Sequence, residues 1–456
     1  MERTNILIKI FLALCFYNFL NNHLYGYETI DYKLNVNYCI RKEKSNSNGN
    51  DKNKNKINES NIKNGLEMIS ERSCIVFIKK SSCDEEKKIC EKECTEKSKK
   101  GEDKKSKKGK GKKSKKGKGK KSKKCKTKCK VEIVTKSFPF IEFSYDKDSN
   151  TKDYNFNGSV SLMRTVEYEM KINEMCNKNP GCVARKVLMY LGLIPTVRRH
   201  DRLIFVLVDY EKIKNEYKKQ YNNVLGSPLY LNYDFSSIAH WSQYYGAASN
   251  QTTFSINTLK LANDAITGQE YRPAFSDFKW LYYAHCEKDP FYSIKCNNGG
   301  YPKSESSSEC ECPTGFSGKT CEKPAESSKS CYNSSLFVAP KKLYILRFKG
   351  KKTCNILLSS LPNTRIVMTI YNLTCQTKTP CFENDCLQIK YQKDMALTGL
   401  CLCGKKDKEG LTSHSNQTLI RYTGSNSNSS VVINFYSIKA TYYGDEYKIN
   451  FPERVC

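Results

Sequence analysis

Histidine is scarce in this chain, and its spacing excludes one common kind of metal site. The 456 residues include five histidines, and beyond residue 26 these are His200, His240, His285 and His414. No two of them lie four residues apart, so a helical His-x-x-x-His pair that holds zinc between two imidazoles is excluded. After the N-terminus the sequence also lacks a long apolar run, which excludes a later membrane-spanning helix.

The first residues are typical of a secretory signal peptide. Arg3 and Lys9 precede a short apolar run over 10–20, and small Gly26 follows near the expected cleavage site. A membrane anchor is the less favoured alternative, because the apolar run is shorter than the ~20 residues that a bilayer requires. We expect residues 1–26 to be removed and the remaining chain to be secreted.

Cysteine, in contrast, is abundant. Of the 23 cysteines, Cys15 leaves with the signal peptide, so an even number remains. In an exported chain this predicts disulfides rather than thiolate metal sites, and it disfavours a nuclear or cytosolic nucleic-acid-binding function. Asn-x-Ser/Thr sequons agree with secretion and predict glycosylation at Asn58, Asn157, Asn250, Asn333, Asn372, Asn416 and Asn428.

The positive charge is concentrated in one segment. Fourteen of the 21 residues in Lys104–Lys124 are lysine, arranged in an eight-residue repeat without an acidic residue; without them the net charge of +30 falls to +16. Such a segment predicts salt-sensitive attraction to sulfated glycans, anionic membrane surfaces or extracellular nucleic acid. A solvated spacer without a binding role is the alternative.

Paired cysteines flank this lysine-rich insertion, which we place at about 81–130. The stretches ICEKEC and KCKTKC each hold two cysteines four residues apart, as on one face of a helical turn. Antiparallel pairing of Cys90 with Cys129 and of Cys94 with Cys125 would close the base of the insertion. A zinc site built from the same four cysteines fits the spacing too, but an oxidising compartment disfavours it.

Outside the insertion, the periodicity predicts a mixture of helices and strands. Apolar residues at helical spacing predict helices from about Asn61, over about 161–175, over 181–192 with Gly192 as the C-cap, and over 276–286. Strands are predicted over 31–39, 74–80 and 131–145, and over 205–220 a strand leads into a charged helix. The chain is too long for one compact core, so two or three domains are expected.

The second half of the chain resembles two extracellular modules. CNNGG and CECPTGFSGKTC, within Cys296 to Cys321, are similar to an EGF-like module, which implies disulfides Cys296–Cys310 and Cys312–Cys321. From Cys331 onwards, CFENDCLQI and SNQTLIRYTGSNSNSSVVINF resemble a CUB domain, an all-β sandwich whose first disulfide would be Cys331–Cys354. Asp385 lies where some CUB domains hold calcium, but the other acidic ligands are not clearly present.

The region before these modules resembles the astacin family of zinc metalloendopeptidases, of the nematode type. YDFSSIAHWS, at 233–242, is similar to the astacin Met-turn, FVLVDYEKI to the strand after the active-site helix, and ITGQEYRPAFSDFKWLYYAHC to the end of the domain. The resemblance implies an α+β metzincin-like fold and a disulfide between Cys74 and Cys286. It divides the chain into a signal peptide (1–26), an astacin-like domain (27–286), an EGF-like module (287–322), a linker (323–330) and a CUB-like domain (331–456).

The zinc-binding motif of that family is replaced in this sequence. Astacins carry H-E-x-x-H-x-x-G-x-x-H, in which three histidines bind zinc and the Glu acts as general base. Aligning the motif on Leu191 and Gly192 places residues that cannot play these roles: Arg185, Met189 and Pro195 stand at the ligand positions, Lys186 at the Glu, Ala239 at the Met-turn methionine and Trp241 at the tyrosine ligand. The Glu that follows the third ligand in the family is replaced by Thr196. Between the predicted signal peptide and the first predicted strand, we expect no room for a propeptide.

These substitutions predict a secreted, catalytically inactive astacin homologue without a zinc cofactor. It would bind extracellular proteins or peptides through the cleft or the CUB-like domain, and polyanions through Lys104–Lys124. The alternatives are an active zinc endopeptidase, as the family implies, and a regulator that competes with active relatives for substrates. We expect Leu188, Leu191 and Leu193 in the core and His200 at the surface. For Arg185 and Lys186 we expect a solvated, outward-turned pair rather than an anion site.

Overall fold

The computed structural model describes ten stretches of the chain, and the fold is built from them. They cover residues 33–41, 57–83, 86–96, 123–133, 139–146, 167–224, 231–257, 266–287, 294–304 and 307–440. The predicted signal peptide, residues 104–122 of the lysine-rich segment, the sequon at Asn157 and Cys456 lie outside these residues. None of the helices in the described stretches is long and apolar enough to cross a membrane.

A four-stranded parallel sheet forms one layer of the N-terminal part. Its strands, in the order β2-β1-β5-β6, are β1 (Leu34–Ile40), β2 (Ile75–Lys79), β5 (Phe140–Tyr145) and β6 (Glu167–Ile172). Strand β5 is buried along almost its whole length, as expected for a central strand of a parallel sheet. Strand β6 corrects the helix expected over 161–175: Met170 and Ile172, two residues apart, are both buried, so the strand periodicity outweighs the helical one.

Helices pack against this sheet and against one another. They are α1 (Glu59–Ser70), α2 (Glu174–Lys178), α3 (Pro180–Tyr190), α4 (Asn215–Lys218) and α5 (Phe275–Leu281). Helix α1 begins after Asn58, whose side-chain oxygen accepts from the Ser60 N–H at 3.1 Å, and it packs against α3. Gly65 permits this close approach, because a Cβ there would lie 2.7 Å from the Pro180 carbonyl oxygen.

The base of the lysine-rich insertion is a β-hairpin instead of helical turns. Strands β3 (Glu86–Glu96) and β4 (Lys123–Ile133) pair antiparallel, and the register sets Cys90 opposite Cys129 and Cys94 opposite Cys125. Residues four apart on a strand share a face, as they do on a helix, so the spacing alone could not distinguish the two. The register agrees with the antiparallel pairing of the four cysteines, whose disulfides remain a prediction.

The chain between α3 and α5 contains few regular elements. Strand β7 (Val206–Val208) pairs with β8 (Phe254–Ile256), and the charged helix expected after it is limited to the four residues of α4 between short 3-10 turns. Helix α5 continues through a π-helical turn to Cys286. The last helix expected from the sequence is therefore present, with its start within one residue of the predicted position.

Two small antiparallel sheets form the middle part of the chain. They pair β9 (Tyr301–Pro302) with β10 (Cys310–Glu311), and β11 (Phe316–Ser317) with β12 (Lys323–Pro324). The structure joins Cys296 to Cys310 and Cys312 to Cys321, the two pairs expected here.

Every regular element within 307–440 is a strand, and from residue 335 onwards the strands form two sheets. One has the order β13 (Ser335–Phe337), β15 (Lys352–Ser359), β21 (Gln417–Gly424), β17 (Leu387–Lys390) and β18 (Leu400–Leu402). The other contains β14 (Tyr344–Lys349), β22 (Ser430–Lys439), β16 (Thr364–Thr374), β19 (Lys405–Lys406) and β20 (Glu409–Thr412). Alternating residues of β16 are buried, so one face of this strand contributes to the core of the C-terminal part.

Disulfides connect most of the cysteines in the described stretches. Cys74–Cys286 and Cys331–Cys354 are pairs that the family resemblances imply. The connectivity that the sequence left open is Cys39–Cys83, Cys176–Cys182, Cys375–Cys386 and Cys381–Cys403, while Cys401 is a buried thiol.

Candidate functional site

Helix α3 carries the positions at which zinc ligands would be expected. Asn179 caps its start by accepting from the Gly181 N–H at 2.9 Å, and Pro180 occupies the first turn. The helix ends in a Schellman turn at Gly192, where φ is +105°, and the Leu193 N–H donates to the Leu188 carbonyl at 2.9 Å. Between these caps Arg185 and Met189 lie one turn apart, as the family motif requires of its first two ligands.

Arg185 and Lys186 are both buried, which contradicts the expected outward-turned pair. Their exposed fractions are 3% and 6%, because α3 is enclosed on nearly all sides: each residue from Gly181 to Met189 is buried. The Arg185 guanidinium forms an ion pair with the carboxylate of Glu270 through Nη1 and Oε1. A buried cation normally requires such a carboxylate, and the sequence did not indicate where one would come from.

Gly181 explains how Glu270 reaches the helix. A Cβ at Gly181 would overlap the carbonyl oxygens of Glu270 and Tyr271, so only glycine lets this loop lie directly on α3. Gly181 and Arg185 are one turn apart, so the loop that touches the first places the Glu270 side chain beside the second. Gln269 fixes the same loop by donating from Nε2 to the Ser236 and Arg272 carbonyls at 2.7 and 2.8 Å.

The other positions aligned with the zinc motif do not provide the imidazole nitrogens that the motif requires. Met189 and Pro195 are buried, and the Thr196 N–H donates to the Ala239 carbonyl at 3.2 Å, so the segment after α3 does meet the Met-turn-like loop. Pro195 has no donor atom, Met189 offers a thioether, and the cationic Arg185 would repel a dication. This set of residues does not fit a zinc ion.

Trp241 stands where the family has a tyrosine ligand, and it is a core residue. Its side chain is 1% exposed and packs against Tyr221, with ring centroids 5.0 Å apart, and against Tyr245 at 4.3 Å. Its indole N–H has no hydrogen-bond acceptor among the described residues. The aromatic cluster thus fills the space on this side of the Met-turn-like loop.

Both ring nitrogens of His240 are occupied within the protein. Nδ1 lies 3.0 Å from the Trp241 carbonyl oxygen, which can only accept, so Nδ1 carries the proton and Nε2 accepts from the Tyr233 hydroxyl at 2.8 Å. Burial without a neighbouring carboxylate lowers the pKa of His240 to about 4. His240 is therefore a neutral structural residue of the loop.

The low pKa of His240 predicts a pH-dependent stability. The unfolded chain takes up a proton near the ordinary pKa of 6.5 whereas the folded state does not, so stability falls as pH decreases from 6.5 towards 4. At pH 4 the loss should reach about 3 kcal/mol relative to pH 7. Urea unfolding of the wild type and of His240→Gln across this range should show the difference, and parallel curves would contradict the assignment.

Two buried carboxylates hold the Met-turn-like loop from the other side. Asp277 accepts from the Ser237 hydroxyl at 2.6 Å and from the Ile238 and Ala274 N–H groups at 2.8 Å, and burial raises its pKa to about 7. Asp234 accepts from the Ser236 N–H at 3.0 Å. Sequence reasoning missed both, although Asp277 stands three residues into α5, where an acidic side chain commonly caps a helix.

A small cavity lies beside these carboxylates, away from Arg185. Its volume of about 40 Å³ has room for two or three water molecules. The residues that line it are Leu193, Ile194, Thr196, Arg199, Leu231, Asn232, Asp234, Ser237, Ser276, Asp277 and Trp280.

The C-terminal part covers the same loop. The Thr398 hydroxyl and the Ser236 hydroxyl are hydrogen-bonded, and Asn232 donates to Asp394 at 2.9 Å. Glu383 accepts from Thr398 at 3.3 Å and from Thr314 of the middle part, so its carboxylate connects the C-terminal part to the middle part. Lys390 is buried nearby and donates to the Leu397 carbonyl at 2.6 Å; burial lowers its pKa.

A group of three potential metal ligands occurs elsewhere in the described residues, at Cys39, Cys83 and Glu142. The two cysteines form a disulfide, and Glu142 accepts from Arg41 at 2.8 Å. Asp385, in the C-terminal part, is likewise engaged by Lys378 and by the Phe382 N–H at 2.9 Å. Neither place fits a metal ion.

The remaining predicted residues are distributed over the surface and core. Leu188, Leu191 and Leu193 are buried, and His200 is exposed. Five sequon asparagines are exposed, namely Asn58, Asn250, Asn333, Asn372 and Asn428. Asn416 differs, because it is half-buried and its Nδ2, the atom that would carry the glycan, donates to the Ser360 carbonyl at 2.9 Å.

Comparisons with known proteins identify the relatives of the N-terminal part. Residues 141–286 match the peptidase family described as Astacin. Zinc metalloproteinase nas-34 of Caenorhabditis elegans is 26% identical over 249 residues, which cover 54% of this chain and 40% of that protein. Zinc metalloproteinase dpy-31 of Brugia malayi is 27% identical over 237 residues, which cover 49% and 39%. The matched region is thus a homologue of the astacin metallopeptidases, and the chain spans about two fifths of the length of these relatives.

Two solved structures show a partial likeness. High choriolytic enzyme 1, a hatching enzyme zinc-protease from Oryzias latipes, gives a TM-score of 0.36 at 15% identity, over 58% of this chain and 98% of that chain. The CUB1-EGF-CUB2 domain of human MASP-1/3 gives a TM-score of 0.19 at 12% identity, over 32% and 55%.

Proposed function

We propose that this astacin homologue is a secreted protein without peptidase activity that acts by binding extracellular partners. One observation carries the proposal: Arg185, at the first ligand position, is buried in an ion pair with Glu270. An astacin requires at this place a neutral imidazole that donates an electron pair to zinc. A buried guanidinium is positively charged, as the zinc ion is, and has no electron pair to donate.

The position of the general base supports the same proposal. Family members use a Glu beside the first ligand to take a proton from the water that zinc polarises. Lys186 is a buried ammonium-bearing residue at that position, and it cannot perform this role while protonated. A chain that regained one zinc ligand would therefore still lack the base.

The alternative is an active zinc endopeptidase, and the relatives favour it. Proteins named zinc metalloproteinases align with about half of this chain at 26–27% identity. For this alternative to hold, zinc would have to bind through residues other than those aligned with the family motif. The ion pair of Arg185 and the hydrogen bonds of His240 weigh against it.

A competitor that holds substrate peptides in the cleft has little support. Trp241, Met189 and Arg185 are buried at the place where the metal and the scissile bond would meet, and none of them lines the small cavity beside Asp234 and Asp277. We therefore assign partner binding to surfaces outside the cleft. The candidates are the lysine-rich segment and the C-terminal part, which we interpret as a CUB-like domain (331–456) that follows an EGF-like module (287–322).

The lysine-rich segment is a polyanion-binding site in this proposal. The strands β3 and β4 pair on either side of it in the sequence, and fourteen of the 21 residues of Lys104–Lys124 are lysine. Sulfated glycans and anionic surfaces are the partners that such a charge attracts, through contacts that weaken with salt. An extracellular location agrees with the eight disulfides in the described residues.

A casein hydrolysis assay tests the loss of peptidase activity. The purified chain with added zinc should release no peptides above the rate of the Lys186→Ala variant. Chelation by EDTA should change nothing. Hydrolysis by the wild type that Lys186→Ala or EDTA abolishes would reject the proposal and favour the active endopeptidase.

A further inference from the structure

One corner of the C-terminal part exposes an unusual number of large apolar side chains. We name this corner surface by its six members, which are Phe337, Leu343, Ile345, Leu361, Tyr436 and Ile438, each between 40% and 58% exposed. Soluble proteins expose single apolar residues routinely, but a group of them commonly marks an interaction site.

The strand pairing shows that these residues share one surface. Ile345 and Tyr436 lie on adjacent strands β14 and β22, on the side that alternates with the buried residues Leu346 and Phe435. Leu343 immediately precedes β14. Because Tyr344 pairs with Phe435, Leu343 lies opposite Tyr436 on the neighbouring strand. These three side chains therefore point to the same outer face, together with Ile438 two residues beyond Tyr436.

The other two members of the corner surface, Phe337 and Leu361, lie near the turns at the end of the two sheets. Phe337 pairs with Ser359 at the end of β15, and Leu361 follows two residues later. Leu361 accepts from the Thr364 hydroxyl at 2.6 Å, and the Ala440 N–H, just after Ile438, donates to the Asn363 carbonyl at 3.0 Å. The bridge between Pro340 and Ser437 closes the corner.

Among the described residues, the charged side chains of the segments that form the corner surface are all cationic. Lys341, Lys342, Arg347 and Lys439 are exposed around it. The sequence has no Asp or Glu between Glu326 and Glu383, or between Glu409 and Ala440, and these two stretches supply every strand and turn of the corner. An approaching acidic group would therefore meet no repulsive carboxylate from these segments.

The rest of the described chain leaves this face open. The C-terminal part contacts the other parts through the opposite sheet and its loops, for example through Glu383, Asp394 and Thr398. The outer face of β14, β22 and β16 has no contact of this kind among the described residues.

We propose that the corner surface binds a protein segment that carries aliphatic or aromatic side chains next to acidic ones. Apolar contact would come from the six side chains and charge complementarity from the lysines and Arg347 around them. A protein is favoured over a lipid bilayer because Asn434 and Thr369, which pair across β22 and β16, lie within the same outer face. Their amide and hydroxyl groups need hydrogen-bond partners that lipid tails do not offer.

The segment would bind through side chains rather than by extending the sheet. The free edge of β14 is partly occupied, because the Tyr332 hydroxyl lies 3.3 Å from both the N–H and the carbonyl oxygen of Arg347. The proposal does not depend on the loss of peptidase activity, since the corner surface lies in another part of the chain.

A random copolymer of glutamate and tyrosine is a suitable probe, with polyglutamate as the probe that lacks apolar groups. The full chain immobilised at 0.15 M salt should bind the copolymer, and the variant Leu343→Ser/Tyr436→Ser should bind it at least tenfold more weakly. Because the lysine-rich segment attracts both polymers in both proteins, the tenfold difference applies to the copolymer binding that exceeds the binding of polyglutamate. The matched control is Leu203→Ser/Leu207→Ser, which removes two exposed leucines of the N-terminal part and should retain binding.

Several results would overturn the proposal. One is equal copolymer binding by the wild type and the corner variant, with unchanged unfolding curves for both. Corner-dependent binding to phosphatidylserine vesicles without binding to the copolymer would assign the surface to a membrane. Copolymer binding that requires truncation after Ala440 would identify residues 441–456 of this chain as the occupant. Dimerisation lost in the corner variant would assign the surface to a second copy.

Discussion

Replacing Glu270 by alanine should destabilise the protein by about 3 kcal/mol, because it removes the carboxylate that the buried Arg185 contacts. Breaking a buried ion pair by removing one partner typically costs 3–5 kcal/mol, and partial exposure of Glu270, 25% for its side chain, places the value at the lower end. Urea unfolding monitored by tryptophan fluorescence measures this loss.

Two further variants show whether the ion pair is the cause. Glu211→Ala removes an exposed carboxylate elsewhere in the N-terminal part and should change stability by less than about 0.5 kcal/mol. Arg185→Met/Glu270→Gln removes both charges and should recover most of the stability that Glu270→Ala loses. If Glu270→Ala unfolds like Glu211→Ala, the ion pair does not have the role assigned to it.

Deleting Lys104–Lys124 should sharply reduce retention on heparin. The deletion removes fourteen lysines and lowers the net charge from +30 to +16, so the protein should elute at a much lower salt concentration. Some retention should remain because the rest of the chain is basic. Elution from a heparin column with a salt gradient is the measurement.

The sequence of the segment should matter less than its charge. A scrambled insertion of the same composition should be retained like the wild type, whereas a same-length insertion with serine in place of lysine should behave like the deletion. Unchanged retention of the deletion variant would contradict polyanion binding through this segment and leave the spacer interpretation.

Much of the fold was predictable where the spacing of apolar residues agrees with the residues that cap helices and form turns. Helix α3 has a capping Asn179, Pro180 in its first turn and Gly192 at its end, so both boundaries are determined locally. The resemblance to astacins at the end of the domain correctly paired Cys286 with Cys74. The family match to 141–286 agrees with that part of the interpretation.

Other features depend on contacts between residues distant in sequence. The burial of Arg185 depends on Glu270, 85 residues away, and on the absence of a side chain at Gly181. No local pattern joins those positions, and the general tendency of arginine and lysine to be exposed predicted the wrong orientation. Strand β6 was mistaken for a helix because its partner β5 decides its conformation.

Zinc content is the most direct test of the central claim that the family's metal site has been replaced by a buried ion pair. The full chain, dialysed against zinc and then against buffer, should retain less than about 0.1 equivalent of metal by mass spectrometry. The variant Arg185→His/Lys186→Glu/Met189→His/Pro195→His, which restores the family residues, is the comparison. The account would be contradicted if the wild type retained one equivalent of zinc after dialysis. This zinc would also have to remain when Cys90, Cys94, Cys125 and Cys129 are substituted.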